Sequence, residues 1–158
     1  MLTPIQSRKF RAKETTFAIV ASKYNARYVD AMLRAAKKEL ERAKARVKVV
    51  RVPGAFEIPV VASALARASC EQTHVPLSGI LCLGVILRGA TTHAAHIAEG
   101  VTRAIMEIQL RYEVPVIHEV LLLENETQAQ ERCLGKTHNR GTEAAQTALA
   151  MAQIMKSL

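Results

Sequence analysis

In the stretch Leu87-Arg88-Gly89-Ala90-Thr91-Thr92-His93, a glycine, small hydroxyl residues and a histidine follow directly on an apolar run, Gly79 to Ile86. Those residue types in that order suit an anion site with a proton shuttle, built where a buried strand feeds a helix. The first amides of a helix have no intrahelical partner and favour negative charge, and Gly and Ala let an anion approach the main chain closely. A histidine in the first helical turn can then move protons near neutral pH. A lone histidine there is more often a cap or a surface residue, so the chemistry depends on what else the chain brings to the same place.

Past residue 14 the sequence alternates strand with helix. Thr16 to Ala21 reads as a short strand closed by Ser22, and Val29, Met32, Leu33, Ala36 and Leu40 form one helical stripe after it. Val47 to Val52 is a second strand broken by Pro53-Gly54, and Ile58 to Ala68 a short helix. The third strand is Gly79 to Ile86, followed by a long helix from about Thr92 to Tyr112, a fourth strand from Val114 to Leu123, and closing helices over Glu126–Cys133 and Gly141–Lys156. Strands with few polar positions between helices predict an α/β fold whose four-stranded parallel sheet is covered by helices on both faces. Such sheets bind ligands beyond the carboxyl ends of their strands, where the strand order reverses. The unusual polar clusters fall at those ends: Ser22 to Asn25, Pro53 to Glu57, Gly89 to His93, and Glu124-Asn125. An aromatic pair, a carboxylate, an anion turn and a histidine together predict a small-molecule enzyme site.

Composition narrows the alternatives. A chain of 158 residues is one domain by length, with a basic arm over residues 1–14 and a folded unit over 15–158. The net charge of +8 is no nucleic-acid footprint, because +3 of it sits in the arm, the rest is spread over helix faces, and no Trp and only three Phe and three Tyr could stack on bases. A basic surface equally attracts phosphorylated substrates. Cys70, Cys82 and Cys133 form no C-x-x-C pair and read as reduced thiols. No apolar run approaches a membrane span, so a cytoplasmic protein without membrane contact is expected. His93-x-x-His96-x-x-Glu99 lacks metal-ligand spacing, since those positions fan around a helix, and no metal is expected there.

Four blocks carry a closer resemblance: Phe17 to Asn25, Val52 to Pro59, Leu83 to His93, and Glu124-Asn125 through Glu131-Arg132 with Asn139-Arg140-Gly141. In order and spacing they resemble the 6,7-dimethyl-8-ribityllumazine synthases, over nearly the whole chain after residue 15. The resemblance implies a flavodoxin-like three-layer sandwich. It also implies the penultimate step of riboflavin synthesis, in which 5-amino-6-ribitylaminouracil condenses with 3,4-dihydroxy-2-butanone 4-phosphate without metal or organic cofactor. By the same resemblance, Tyr24 and Asn25 stand at the pyrimidine, Tyr24 where the family usually stacks Phe or Trp. Ala55, Phe56 and Glu57 line the ribityl chain, and Val85, Ile86 and Leu87 hold the ring through backbone groups. Gly89, Ala90 and Thr91 cradle the phosphate with Arg132, and His93 is the general acid/base. His118, Arg132 and Arg140 are expected from a neighbouring subunit of a homopentamer.

Two positions depart from the family pattern. His118 replaces a common Phe, and Arg140 a frequent Lys; each keeps a flat or cationic group but changes titration or hydrogen-bond geometry. A riboflavin synthase relative or a shell protein without catalysis are the competing readings, against which the anion turn, Arg132, His93 and Glu57 weigh. The short Gly135 to Asn139 connection is expected to favour a shell of twelve pentamers, with riboflavin synthase as a candidate partner.

Overall fold

The run Thr16–Ser22 is almost wholly buried, as a strand covered on both faces must be, and forms β1. It pairs in parallel with β2 (Arg46–Val52) on one side and β3 (Gly79–Leu87) on the other, and β4 (Val116–Leu123) lies beyond β3, giving the order β2-β1-β3-β4. This computed structural model describes residues 14–158, so the basic arm lies outside the described residues apart from Glu14. The helices are α1 (Ala26–Arg42), α2 (Ile58–Cys70), α3 (His93–Tyr112), α4 (Glu126–Cys133) and α5 (Arg140–Ser157). The strand order reverses between β1 and β3, as in flavodoxin-like sheets.

Side-chain alternation along each strand divides the interior into two cores. Phe17, Ile19, Ala21, Leu81 and Leu83 pack under α1, α4 and α5, whereas Ala18, Val20, Ile80 and Cys82 pack under α2 and α3. β2 is an edge strand and carries Arg46, Lys48 and Arg51 among its valines, charges that discourage edge-to-edge pairing. On the first face α5 crosses α1 so closely that a Cβ on Gly141 would stand 2.0 Å from the Met32 carbonyl oxygen. Only glycine fits that crossing.

The elements follow the expected order, and their ends differ for local reasons. β4 starts at Val116 and not at Val114, since Pro115 has no N–H for a ladder; its carbonyl accepts from the Ile80 amide at 2.8 Å. A 3-10 turn over Ala55–Glu57 precedes α2, which runs on to Cys70. The α5 helix begins one residue early because the Asn139 side chain caps it, accepting from the Gly141 amide at 2.9 Å.

Pairing of β3 with β1 ends at Ala21↔Leu83, whereas pairing with β4 continues to Leu87↔Leu123. Pairing with β1 thus stops four residues before pairing with β4 does, and the β1-facing edge of β3 is open there. Backbone groups alternate sides along a strand. Arg88 donates to Leu123 on β4, so the even residues face β4, and the backbone groups of Val85 and Leu87 face the open edge.

Candidate active site at the carboxyl edge of the sheet

The loop after β1 is held beside the loop after β2. Lys23 and Tyr24 donate from their amides to the carbonyls of Val52 and Pro53, at 2.8 and 3.1 Å. Asn25 has a left-handed backbone, φ 53°, which a short amide side chain tolerates. Its Nδ2 donates to the Val85 carbonyl at 2.7 Å, across the open edge of β3. One side chain thus joins the ends of β1 and β3 at the point where the strand order reverses. Arg51 ties the same corner from β2, donating to Asp30 Oδ1 at 2.6 Å and to the Ser22 carbonyl at 2.9 Å.

Two aromatic side chains flank this corner. Tyr24 is 75% exposed and Phe56 65%, so neither is core in this chain. Between them, Ala55 is buried and the exposed Glu57 is anchored, one carboxylate oxygen accepting from the Gly54 amide at 2.9 Å. The carboxylate caps the turn before α2 and keeps its other oxygen for an external donor. The carbonyl of Val85 is already taken by Asn25, which leaves the Val85 amide and both Leu87 groups on the open edge. The backbone of Ile86 faces β4 and its side chain is buried in the core under α2 and α3, so Ile86 brings no backbone group to this edge, against the expectation that it holds the ring.

The anion turn completes this edge. Arg88 fixes its start, through its amide to Leu123 and through a 3.1 Å ion pair of Nε with Glu124. A Cβ on Gly89 would meet no protein atom within 4 Å, and no described glycine has positive φ, so nothing in the fold itself demands glycine there. Ala90 and Thr91 are exposed beside it, and the exposed His93 opens α3. Ala95 and His96 donate to Thr92, while the His93 amide meets Thr91 Oγ1 at 3.4 Å, the outer limit of a hydrogen bond. The preceding amides carry the positive end of a twenty-residue helix toward solvent. Thiol nucleophiles are absent from this edge: Cys82 and Cys133 are buried, and burial pushes their pKa values up to about 12 and about 11.

Comparison with known proteins decides the family. The family model for 6,7-dimethyl-8-ribityllumazine synthase matches residues 14–156. A protein of that name from Stenotrophomonas maltophilia (strain R551-3) is 39% identical over 145 residues, 90% of each chain. Its counterpart in Xanthomonas oryzae pv. oryzae (strain PXO99A) is 35% identical over 151 residues, 94% of each chain. The chain belongs to the 6,7-dimethyl-8-ribityllumazine synthase family. It is thus a transferase of riboflavin biosynthesis by family.

Three residues that the resemblance to lumazine synthases singles out lie elsewhere in the chain. His118 pairs in register with Cys82, five residues before Leu123, or about 16 Å from the carboxyl edge at the rise of a β-strand. Its Nδ1 accepts from the Val120 amide at 3.3 Å, so Nε2 carries the proton and donates to Thr102 Oγ1 at 2.8 Å, and Thr102 donates to the Ala98 carbonyl. Burial lowers the pKa of His118, partly opposed by an interaction with its own backbone. Arg132 is exposed on the last turn of α4, in the layer opposite α3. Arg140 opens α5, where Glu119 grips its guanidinium through two 3.0 Å bonds and Glu143 through one of 2.6 Å. Within one chain, Arg132 and His93 thus belong to opposite layers of the sandwich.

Sequence reasoning missed Glu119, a carboxylate only 5% exposed in the middle of β4. Its signal is visible as the one charge inside Val116–Leu123. Burial raises its pKa to about 7 even though Arg140 opposes the shift. A separate groove of about 860 Å³ between α2 and the β2 edge, lined by Lys48, Val60, Leu65 and His74 among others, contains none of the predicted site residues.

Proposed function

We propose that the chain condenses 5-amino-6-ribitylaminouracil with 3,4-dihydroxy-2-butanone 4-phosphate to give 6,7-dimethyl-8-ribityllumazine, in a site completed by a neighbouring subunit of a homopentamer. The observation that carries this reading is the convergence of Asn25, the open edge of β3 and the first turn of α3 at one corner of the sheet. The Val85 amide and the Leu87 amide and carbonyl offer two donors and one acceptor on this open edge to the polar groups of the pyrimidine. Tyr24 stacks on the ring from the β1 loop. Glu57 accepts from ribityl hydroxyls with the carboxylate oxygen that Gly54 leaves free.

The phosphate ester sits against Gly89, Ala90 and Thr91, with helix amides and Arg132 of the adjacent subunit neutralising it. The pyrimidine's 5-amino group attacks the butanone carbonyl, and water leaves as the imine forms. Phosphate then leaves, and the ribityl-bearing nitrogen closes the ring with loss of a second water. His93, at the head of α3 beside the phosphate seat, supplies and accepts the protons of these steps. Much of the acceleration comes from holding two reactive partners together. His118 and Arg140 approach the heterocycle from the adjacent subunit, Arg140 already oriented by Glu119 and Glu143.

Incubating the purified protein with both substrates tests the reaction. Fluorescent lumazine and one inorganic phosphate per lumazine are expected. No product from these two substrates, together with riboflavin formed from added 6,7-dimethyl-8-ribityllumazine, would indicate a riboflavin synthase instead.

A further inference from the structure

Arg51 lies on the edge strand β2, yet its side chain is turned inward and only 29% exposed. It stands in register with Ala21, one residue before the Val52 and Pro53 carbonyls that hold Lys23 and Tyr24. Its guanidinium bonds the last carbonyl of β1, Ser22, and the carboxylate of Asp30 in α1. Everything between those two anchors is the segment that presents Tyr24 and Asn25. Asn25 is held there with positive φ, a conformation that its short amide side chain tolerates and that its bond to the Val85 carbonyl ties to β3. Arg51 Nε, in contrast, is buried with no hydrogen-bond partner among the described residues. A buried, unpaired N–H is costly, so stability alone does not account for a guanidinium placed this way.

We propose that Arg51 is a positioning residue, which fixes the Ser22–Asp30 segment so that Tyr24 and Asn25 stand at the open edge of β3. The inference rests on the proposed function insofar as the seat being fixed is that of the pyrimidine. Arg51 touches no reacting atom. Its effect on catalysis therefore passes through the affinity for one substrate and not the other.

Arg51→Ala, Arg51→Lys and Asp30→Asn test this with two readouts. The first needs no substrate: in Arg51→Ala, hydrogen exchange of the Lys23 and Tyr24 amides is expected to accelerate at least about tenfold, with the amides of residues 17–21 unchanged. In the second, the KM for the pyrimidine rises about tenfold in Arg51→Ala while that for the butanone phosphate stays within about twofold. Arg51→Lys keeps the charge and one bond and recovers part of both effects, and Asp30→Asn gives a smaller shift in the same direction. Where Arg51→Ala does not fold, the lysine and Asp30→Asn variants carry the test. Unchanged exchange at residues 23–24, or equal rises in both KM values, would overturn the assignment. Failure of the wild-type protein to form lumazine would overturn the proposed function instead, leaving the exchange result to judge the clamp.

Discussion

At the scale of single residues, charge placement separates binding from catalysis. Arg132 is exposed and makes no ion pair or side-chain hydrogen bond among the described residues, so its proposed pairing with phosphate carries its full effect on one substrate. Arg132→Ala is expected to raise the KM for the butanone phosphate by roughly 1.5–3 kcal/mol in free-energy terms, the range for a charge-assisted hydrogen bond, and to leave the pyrimidine nearly unaffected. Steady-state kinetics with each substrate varied in turn would check it, and equal shifts would place Arg132 outside the phosphate seat. Glu119 makes a different prediction. Its pKa is raised in the fold from 4.5 to about 7, so the folded state binds a proton more tightly than the unfolded chain. That contribution to stability is complete below about 4.5 and is lost as the pH climbs through about 7. Denaturant melts should show stability falling over that window in the wild type, with a flatter profile in Glu119→Gln; identical profiles would contradict the shift. His93 was legible in the sequence because helix starts and strand ends have local signatures. Glu119, Asp30 and Arg51 were not, because their significance lies in partners 21 residues away along the chain.

At the scale of elements, periodicity gave the order of strands and helices, since buried strands and amphipathic helices repeat at different intervals. It was silent on the overshoot of β3 past β1, which depends on where tertiary pairing stops, and therefore on which backbone groups face the site. It was equally silent on the α1–α5 crossing. Gly141→Ala would push a methyl group into the Met32 carbonyl, and overpacking of this kind costs about 1–3 kcal/mol. The expected outcome is a Tm lowered by several degrees, measured calorimetrically, and a scaffold that moves Asn139 and Arg140 with it. An unchanged Tm would mean that the two helices separate without cost.

At the scale of the whole molecule, the division of functional residues between the two layers of the sandwich decides how the site is built. His93 leads a helix of one layer and Arg132 ends a helix of the other, while His118 lies about 16 Å down the sheet from the anion turn. A head-to-tail ring of identical subunits brings two different surfaces of the chain together, so the proposed pentamer can set His93 against a neighbour's Arg132. The proposed function accordingly joins His93 of one chain to Arg132 of its neighbour in a composite site. No described helix is long and apolar enough to cross a membrane. His93→Ala alone is expected to lower kcat at least tenfold, which can fall short of the roughly 10² to 10⁴ usual for general acid/base catalysis because holding the two partners together supplies much of the acceleration.

Mixed assembly of two impaired variants, assayed with the butanone phosphate well below its KM so that both defects lower the rate, tests the shared site most directly. His93→Ala and Arg132→Ala chains, co-expressed in equal amounts and purified as one oligomer, would pair an intact His93 with an intact neighbouring Arg132 at about one interface in four by random placement around a heterologous ring. The account predicts lumazine formation near a quarter of the wild-type rate, well above either variant alone. A mixture no more active than the mean of the two separate variants would contradict a lumazine synthase site built between subunits.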